Sequence, residues 1–232
     1  MFSNKDRRNK MNYFRRIFNW FAGIILYQYY KKFKSGACFA FQGGIYEYFY
    51  HPYNMTLRNE RCVEVPIIKR FVNAYKGKNI LEVGNVLSHY FNVNHDIVDK
   101  YEKAEGVRNI DVVDYKPLKR YDLIVSISTL EHVGQDEKPK RSMKILDAIK
   151  NLNGLLAPRG KMVIIFPIGY NYRLGCLIKD GKIGFTSLFY LKRFSKHCWK
   201  EVDKDQVSNI KYDHPFSNGN GLIVGIMGRN IK

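Results

Sequence analysis

The stretch Asn79-Ile80-Leu81-Glu82-Val83-Gly84 constrains this chain more than any other. It is an apolar run ending in an acid and a glycine, and a second run, Ile97-Val98, ends in Asp99. Short runs this apolar suit strands buried on both faces, the situation of a parallel sheet covered by helices. A glycine where the first strand stops lets the backbone come close to a ligand. An acid ending the second strand can accept hydrogen bonds from both hydroxyls of a ribose. After Gly84 come Asn85, Val86, Leu87 and Ser88, not the further glycines that a pyrophosphate cradle needs. The expected ligand is therefore nucleotide-like and lacks a pyrophosphate.

The rest of the chain continues the alternation. Val63, Ile67, Ile68, Phe71, Val72 and Tyr75 predict an amphipathic helix over 63–76, ended by Gly77. Strands are expected at Asn79–Val83 and Asp96–Val98, then a short third running into Asp111, a fourth at Tyr121–Ile127 and a fifth at Lys161–Phe166. The spacing from Gly84 to the second strand leaves room only for a short or irregular helix. Apolar positions at helical spacing across 138–157 predict a helix, closed by Pro158 and Gly160. Tyr190–Lys196 reads as a helix, Cys198–Val202 as a strand near it, and Gly221–Gly228 as an edge strand. The fold class is α/β: a Rossmann-like, doubly wound, mostly parallel sheet with an antiparallel C-terminal edge strand. Residues 36–232 read as one domain with an N-terminal cap over 36–76.

Residues 1–35 stand apart. They hold nine Lys and Arg residues against a single acid, Asp6, around the apolar stretch from Ile17 to Tyr27. That stretch is short of the roughly 20 residues needed to span a bilayer, and no small-residue cleavage site follows it. Basic flanks around aromatics suit a helix lying in a membrane interface. The whole chain carries a net charge of +18, which suits anionic lipid, phosphorylated substrates or nucleic acid. Its four cysteines, Cys38, Cys62, Cys176 and Cys198, form no Cys-x-x-Cys pair. Neither a metal site nor a disulfide framework is expected, and a cytoplasmic location fits, with peripheral association at a membrane surface through residues 1–35.

Taken in order, Leu81-Glu82-Val83-Gly84, Ile97-Val98-Asp99, Asp111-Val112-Val113-Asp114, Tyr121-Asp122-Leu123-Ile124-Val125, Thr129-Leu130-Glu131-His132-Val133 and Leu156-Ala157-Pro158-Arg159-Gly160-Lys161 resemble class I S-adenosylmethionine-dependent methyltransferases. The resemblance covers roughly residues 63–170. The stretch from His51 to Pro66, with Gly84–Tyr90, further resembles a bacterial and archaeal subgroup, some of whose members are associated with surface-polysaccharide synthesis. The resemblance implies that Glu82 and Gly84 shape the first-strand loop around the amino-acid end of S-adenosyl-L-methionine. It further implies that Asp99 holds the ribose, that Asp111 to Asp114 line the adenine, and that Ser128 to Glu131 close the cofactor face opposite the substrate. The usual Gly-x-Gly after the first strand is missing, so Asn85, Ser88 or His89 are expected to contribute side chains instead.

Methyl transfer is a displacement that positioning alone can drive. A hydroxyl acceptor is helped by a base, for which His132 is the first candidate and Glu131 or His89 the next. Arg61, with Glu60 and Glu64, reads either as a helix-start ion-pair group or as part of a cap over the cofactor or substrate pocket. The expected activity is methyl transfer to a small-molecule or glycan-type acceptor, at oxygen. Two rivals stay open: an RNA methyltransferase, favoured by the charge, and a non-catalytic domain that uses the fold to bind a partner.

Overall fold

The computed structural model describes residues 23–34 and 36–228. Residues 23–33 form a helix, α1. A hairpin follows, made of β1 (Cys38–Phe41) and β2 (Gly44–Glu47), and then α2 (Arg61–Ala74). Pro66 lies inside α2 and has no N–H to offer the Cys62 carbonyl one turn back. That carbonyl instead accepts from Phe49 N at 2.9 Å, which ties the segment before the helix onto its first turn.

The main sheet is built from β3 (Ile80–Val83), β4 (Asp96–Val98), β5 (Val107–Arg108), β6 (Tyr121–Ile127), β7 (Leu156–Pro167), β8 (Ser187–Ser195), β9 (Cys198–Val202) and β10 (Gly221–Gly228). Their order is β5-β4-β3-β6-β7-β10-β8-β9. The first five in that order are parallel, and each of the last three pairs antiparallel with its neighbours. The sheet is thus Rossmann-like and mostly parallel, with an antiparallel edge.

Side chains alternate between two cores, as the strand period of two demands. Leu123, Val125, Val163, Ile165, Leu222 and Val224 face α2 and the hairpin. Leu81, Ile124, Met162, Ile164 and Ile223 face the other layer, made by α3 (Lys144–Leu155) and α4 (Tyr172–Lys179). Each fully buried Val, Leu or Ile contributes about 1.5–3 kcal/mol.

Several boundaries differ from expectation. Strand β5 stops at Arg108, so Asp111 lies in the turn beyond it, with Val113 N on its own carboxylate. Strand β7 starts directly at the end of α3, five residues earlier than expected. The segment Tyr190–Lys196 is not a helix: Tyr190 to Ser195 belong to β8. Its apolar residues find ladder partners on β10 and β9, both remote or later in the chain, and local spacing does not reveal such partners. For the same reason Gly221–Gly228 is antiparallel but lies between β7 and β8, while β9 forms the rim. Only a single helical turn, Leu87–His89, separates β3 from β4.

Of the segment 1–35, residues 1–22 and 35 lie outside the described residues. Tyr30 of α1 is buried against Tyr50 and the ring of His197, so this part of the segment is docked on the domain. No helix among the described residues is long and apolar enough to cross a membrane.

Candidate active site

Strand order reverses at β3, which has β4 and β5 on one side and β6 and β7 on the other. Ligands of open α/β sheets bind at such a switch point, outside the carboxyl ends of the strands. Here a cavity of about 580 Å³ opens, walled by Gly84 after β3, Asp99 after β4, Asp111 and Val112 after β5, and Ser128, Thr129 and His132 after β6.

Gly84 makes the turn at φ +88°, and its missing side chain leaves room for Thr129, whose Oγ1 would lie 2.1 Å from any Cβ at this position. No other residue satisfies both conditions. Glu82 is fully buried beneath this turn. Its Oε1 accepts from the N–H groups of Val86 (2.9 Å) and Leu87 (2.8 Å), and its Oε2 lies 2.7 Å from His95 Nε2. Glu82 therefore shapes the loop from below and does not reach the cavity. Asn85 bonds Glu102 through its amide N–H at 2.8 Å, and its Oδ1 accepts from Ser88 Oγ. His89 pairs with Glu102 and stacks on Tyr53. Asn85, Ser88 and His89 thus knit the loop together and lie outside the cavity lining, in contrast to the direct ligand contacts expected of them. Asp114 is exposed and also outside the lining.

Asp99 does line the cavity. Its carboxylate accepts from Tyr101 N and Glu102 N at 2.8 Å and from Asn85 N at 3.3 Å. With about four lone-pair sites on a carboxylate, one remains for a ligand hydroxyl. Asp111 bonds the ammonium groups of Lys144 and Lys100, which also hold Glu137. Burial alone would raise the Asp111 carboxyl, but these lysines keep it below its ordinary value; Glu137, also bonded by Arg141, is held down to about 2. The lysine–carboxylate cluster is invisible in sequence, because it joins three loops and the start of α3.

A smaller, polar cavity of about 160 Å³ adjoins the first, and Ser128 and His132 line both. Its other walls are Glu60 and Arg61 at the start of α2, Glu131, Tyr170 after β7, and Tyr212. Ser128, at a φ of +39°, donates from Oγ to Glu64 at 2.6 Å, and Arg61 Nη1 bonds the other oxygen of Glu64 at 2.7 Å. A non-glycine residue held in the left-handed region is strained, and such strain persists where surrounding contacts impose it, as at many active sites.

His132 is half-exposed between the cavities. Its Nδ1 lies 2.5 Å from Asp136 Oδ2, the geometry of a ring N–H given to a carboxylate, and the Tyr170 hydroxyl donates to the same oxygen at 2.8 Å. That arrangement leaves Nε2 as an acceptor. Asp136 sits four residues beyond His132, a spacing legible in the sequence. Tyr170 comes from a distant loop and had no local signal.

Glu131 is 1% exposed, and neither carboxylate oxygen has a hydrogen-bond partner among the described residues. Its Oε1 stands 3.7 Å from His132 Nε2. Burial pushes its carboxyl well above the ordinary range, with Glu64 adding to the rise. A raised acid stabilises the fold fully below its unfolded pKa, and that contribution is lost as pH climbs towards the folded value. Glu131→Gln should therefore gain stability over wild type from about pH 4 upward, by up to ~1.4 kcal/mol per pH unit inside that window. Urea denaturation at pH 5 and pH 7.5 checks this, and an equal difference at both pH values would mean that Glu131 is ionised in the fold.

No family model matches this chain, and no curated protein matches it. Among solved structures it is similar to the N-methyltransferase NodS from Bradyrhizobium japonicum WM9 in complex with S-adenosyl-L-homocysteine, at 13% identity over 76% of this chain and 95% of that one, with a TM-score of 0.45. It is also similar to a SAM-dependent methyltransferase from Archaeoglobus fulgidus (14% identity, 75% and 98%, TM-score 0.46) and to CalS10, an amino pentose methyltransferase from Micromonospora echinaspora (15%, 44% and 48%, 0.31). At these identities and scores the likeness carries nothing about individual residues.

Proposed function

We propose that this protein is an S-adenosylmethionine-dependent methyltransferase acting on a hydroxyl of a small-molecule or glycan-type acceptor. The observation that carries the reading is the pair of adjoining cavities at the carboxyl edge of the sheet, with an Asp136-oriented His132 on their common wall.

The larger cavity suits the cofactor. Its volume lies in the usual range for small ligands, about 300–1,000 Å³. Val98, Ile110, Val112 and Val133 offer apolar walls for a purine, and Asp99 keeps acceptor capacity for a ribose. The turn at Gly84 admits close backbone approach without a phosphate cradle. When bound, S-adenosylmethionine supplies a methyl group activated by its sulfonium. The chain's own residues do the rest. Glu60, Arg61 and Tyr212 orient a polar acceptor in the smaller cavity, His132 Nε2 takes the hydroxyl proton, and Asp136 holds the resulting imidazolium.

Calorimetry with S-adenosylhomocysteine tests the reading: micromolar-scale binding is expected, and no heat at millimolar ligand would refute it. Asp99→Ala should weaken that binding by roughly 1.5–3 kcal/mol, the range for hydrogen bonds to a charged group. It should also lower thermal stability, because three backbone N–H groups lose their acceptor.

A peripheral membrane position is part of the same reading. Ile25, Tyr29 and Phe33, spaced one helical turn apart on α1, are 70%, 50% and 61% exposed, and Lys31, Lys32 and Lys34 flank them. Such a stripe suits insertion at an anionic interface. The triple variant Ile25→Ser, Tyr29→Ser, Phe33→Ser should keep its fold and lose most of its binding to anionic vesicles. Equal sedimentation of variant and wild type would remove the stripe as an anchor.

A further inference from the structure

A third cavity, of about 670 Å³, lies behind the acceptor pocket and shares Asn218 with it. It is bounded by Leu26 and Tyr30 of α1 and lined by Arg58, Arg193, Lys196 and His197. Arg58 sits just before Glu60 and Arg61, so one short segment borders both spaces.

The cations of this cavity form no ion pair. No acidic residue lines it, and among the described residues no carboxylate lies within ion-pair distance of Arg58, Arg193 or Lys196. Arg193 is 5% exposed. Its terminal nitrogens donate to the carbonyls of Ser217, Arg58 and Lys196 at 3.0–3.1 Å, which fixes the guanidinium, while its Nε has no partner. Burying a cation is costly, and burial holds the Arg193 guanidinium below its ordinary value, with the charge of Glu60, beyond ion-pair distance, offsetting only part of that. With its terminal nitrogens held by those carbonyls, Arg193 contributes positive charge, and the exposed side chains of Arg58 and Lys196 supply the free donors that a phosphate group needs.

We propose that this cavity is an anion subsite that binds the phosphate or diphosphate ester group of the acceptor, with the ester's polar portion reaching past Asn218 into the smaller cavity beside His132. The proposal rests on the methyltransferase reading for the identity of the acceptor, while the anion site itself stands on its own residues. The same chemistry comes from two sources, a soluble sugar phosphate or a lipid-linked one. The apolar side chains of Leu26 and Tyr30 at the cavity border accommodate either.

Calorimetry on the full chain tests it with inorganic pyrophosphate, glucose 1-phosphate and S-adenosylhomocysteine as separate probes. A parallel sedimentation uses phosphatidylcholine vesicles with and without polyprenyl phosphate. Arg58 and Lys196 are exposed, so the double variant Arg58→Gln, Lys196→Gln should fold normally. Pyrophosphate should bind wild type and bind the variant roughly tenfold or more weakly, with S-adenosylhomocysteine affinity unchanged. Glucose 1-phosphate binding identifies a soluble ester. Retention only on the polyprenyl phosphate vesicles, lost in the variant, identifies a lipid-linked one. Binding of S-adenosylhomocysteine with no response to any phosphate probe, or phosphate binding that the variant leaves intact, overturns the subsite and leaves the methyltransferase reading standing. Phosphate binding without S-adenosylhomocysteine binding overturns that reading and keeps the anion site.

Discussion

Replacing His132 by Ala is expected to lower turnover by about 10²–10⁴-fold, the usual worth of a general base, with little change in cofactor affinity. The imidazole stands at the junction of the two cavities and is only half-buried, so its loss removes no core packing. Its orientation is set from behind by Asp136, which Tyr170 steadies in turn. Asp136→Asn should therefore show a smaller loss of the same kind, by favouring the wrong tautomer. Burial alone would raise the Asp136 carboxyl, but its bonds to His132 and Tyr170 hold it below its ordinary value, so it stays ionised across the working range. Near-normal turnover in His132→Ala would leave positioning alone as the source of catalysis. A loss of S-adenosylhomocysteine binding would instead make His132 part of the cofactor wall.

The second large effect is expected at Glu82. Its carboxylate satisfies two backbone N–H groups and His95 in a place with no access to water. Glu82→Ala leaves all three without a partner, and breaking a buried charged network of this kind costs about 3–5 kcal/mol. The loop from Asn85 to His89 hangs on those two N–H groups, so the site should open before the sheet unfolds. Chemical denaturation and S-adenosylhomocysteine titration together read the two consequences. Glu82→Gln keeps one acceptor oxygen and should fall between Ala and wild type. An Ala variant as stable as wild type, with unchanged ligand affinity, would show that the loop is held by its own contacts alone.

Much of the frame was legible because its signals are local. The four inner strands β3, β4, β6 and β7 are mostly apolar, as burial on both faces requires. Gly84 was legible because a turn with a positive φ and no room for a Cβ selects glycine whatever lies around it. Glu82 and Asp99 were recognised as important, but for Glu82 the direction of its side chain was not. A carboxylate at a strand end can face ligand or loop, and only the three-dimensional course of residues 85–95 brings Val86, Leu87 and His95 onto it. The misread helix at Tyr190–Lys196 has the same origin, since its partners β9 and β10 lie on either side of a long loop.

The sequence by itself determined the alternating α/β order, the parallel core strands and the strand ends at which a ligand cavity must open, because each follows from burial and backbone freedom residue by residue. Tertiary structure alone decided which side chains meet there. Tyr170 on His132, Lys100 and Lys144 on Asp111, and Arg193 beside Arg58 are pairs drawn together by loops at the sheet's edge. Their energies depend on distances of a few ångströms between groups that are in most cases tens of residues apart, and no local pattern encodes such distances.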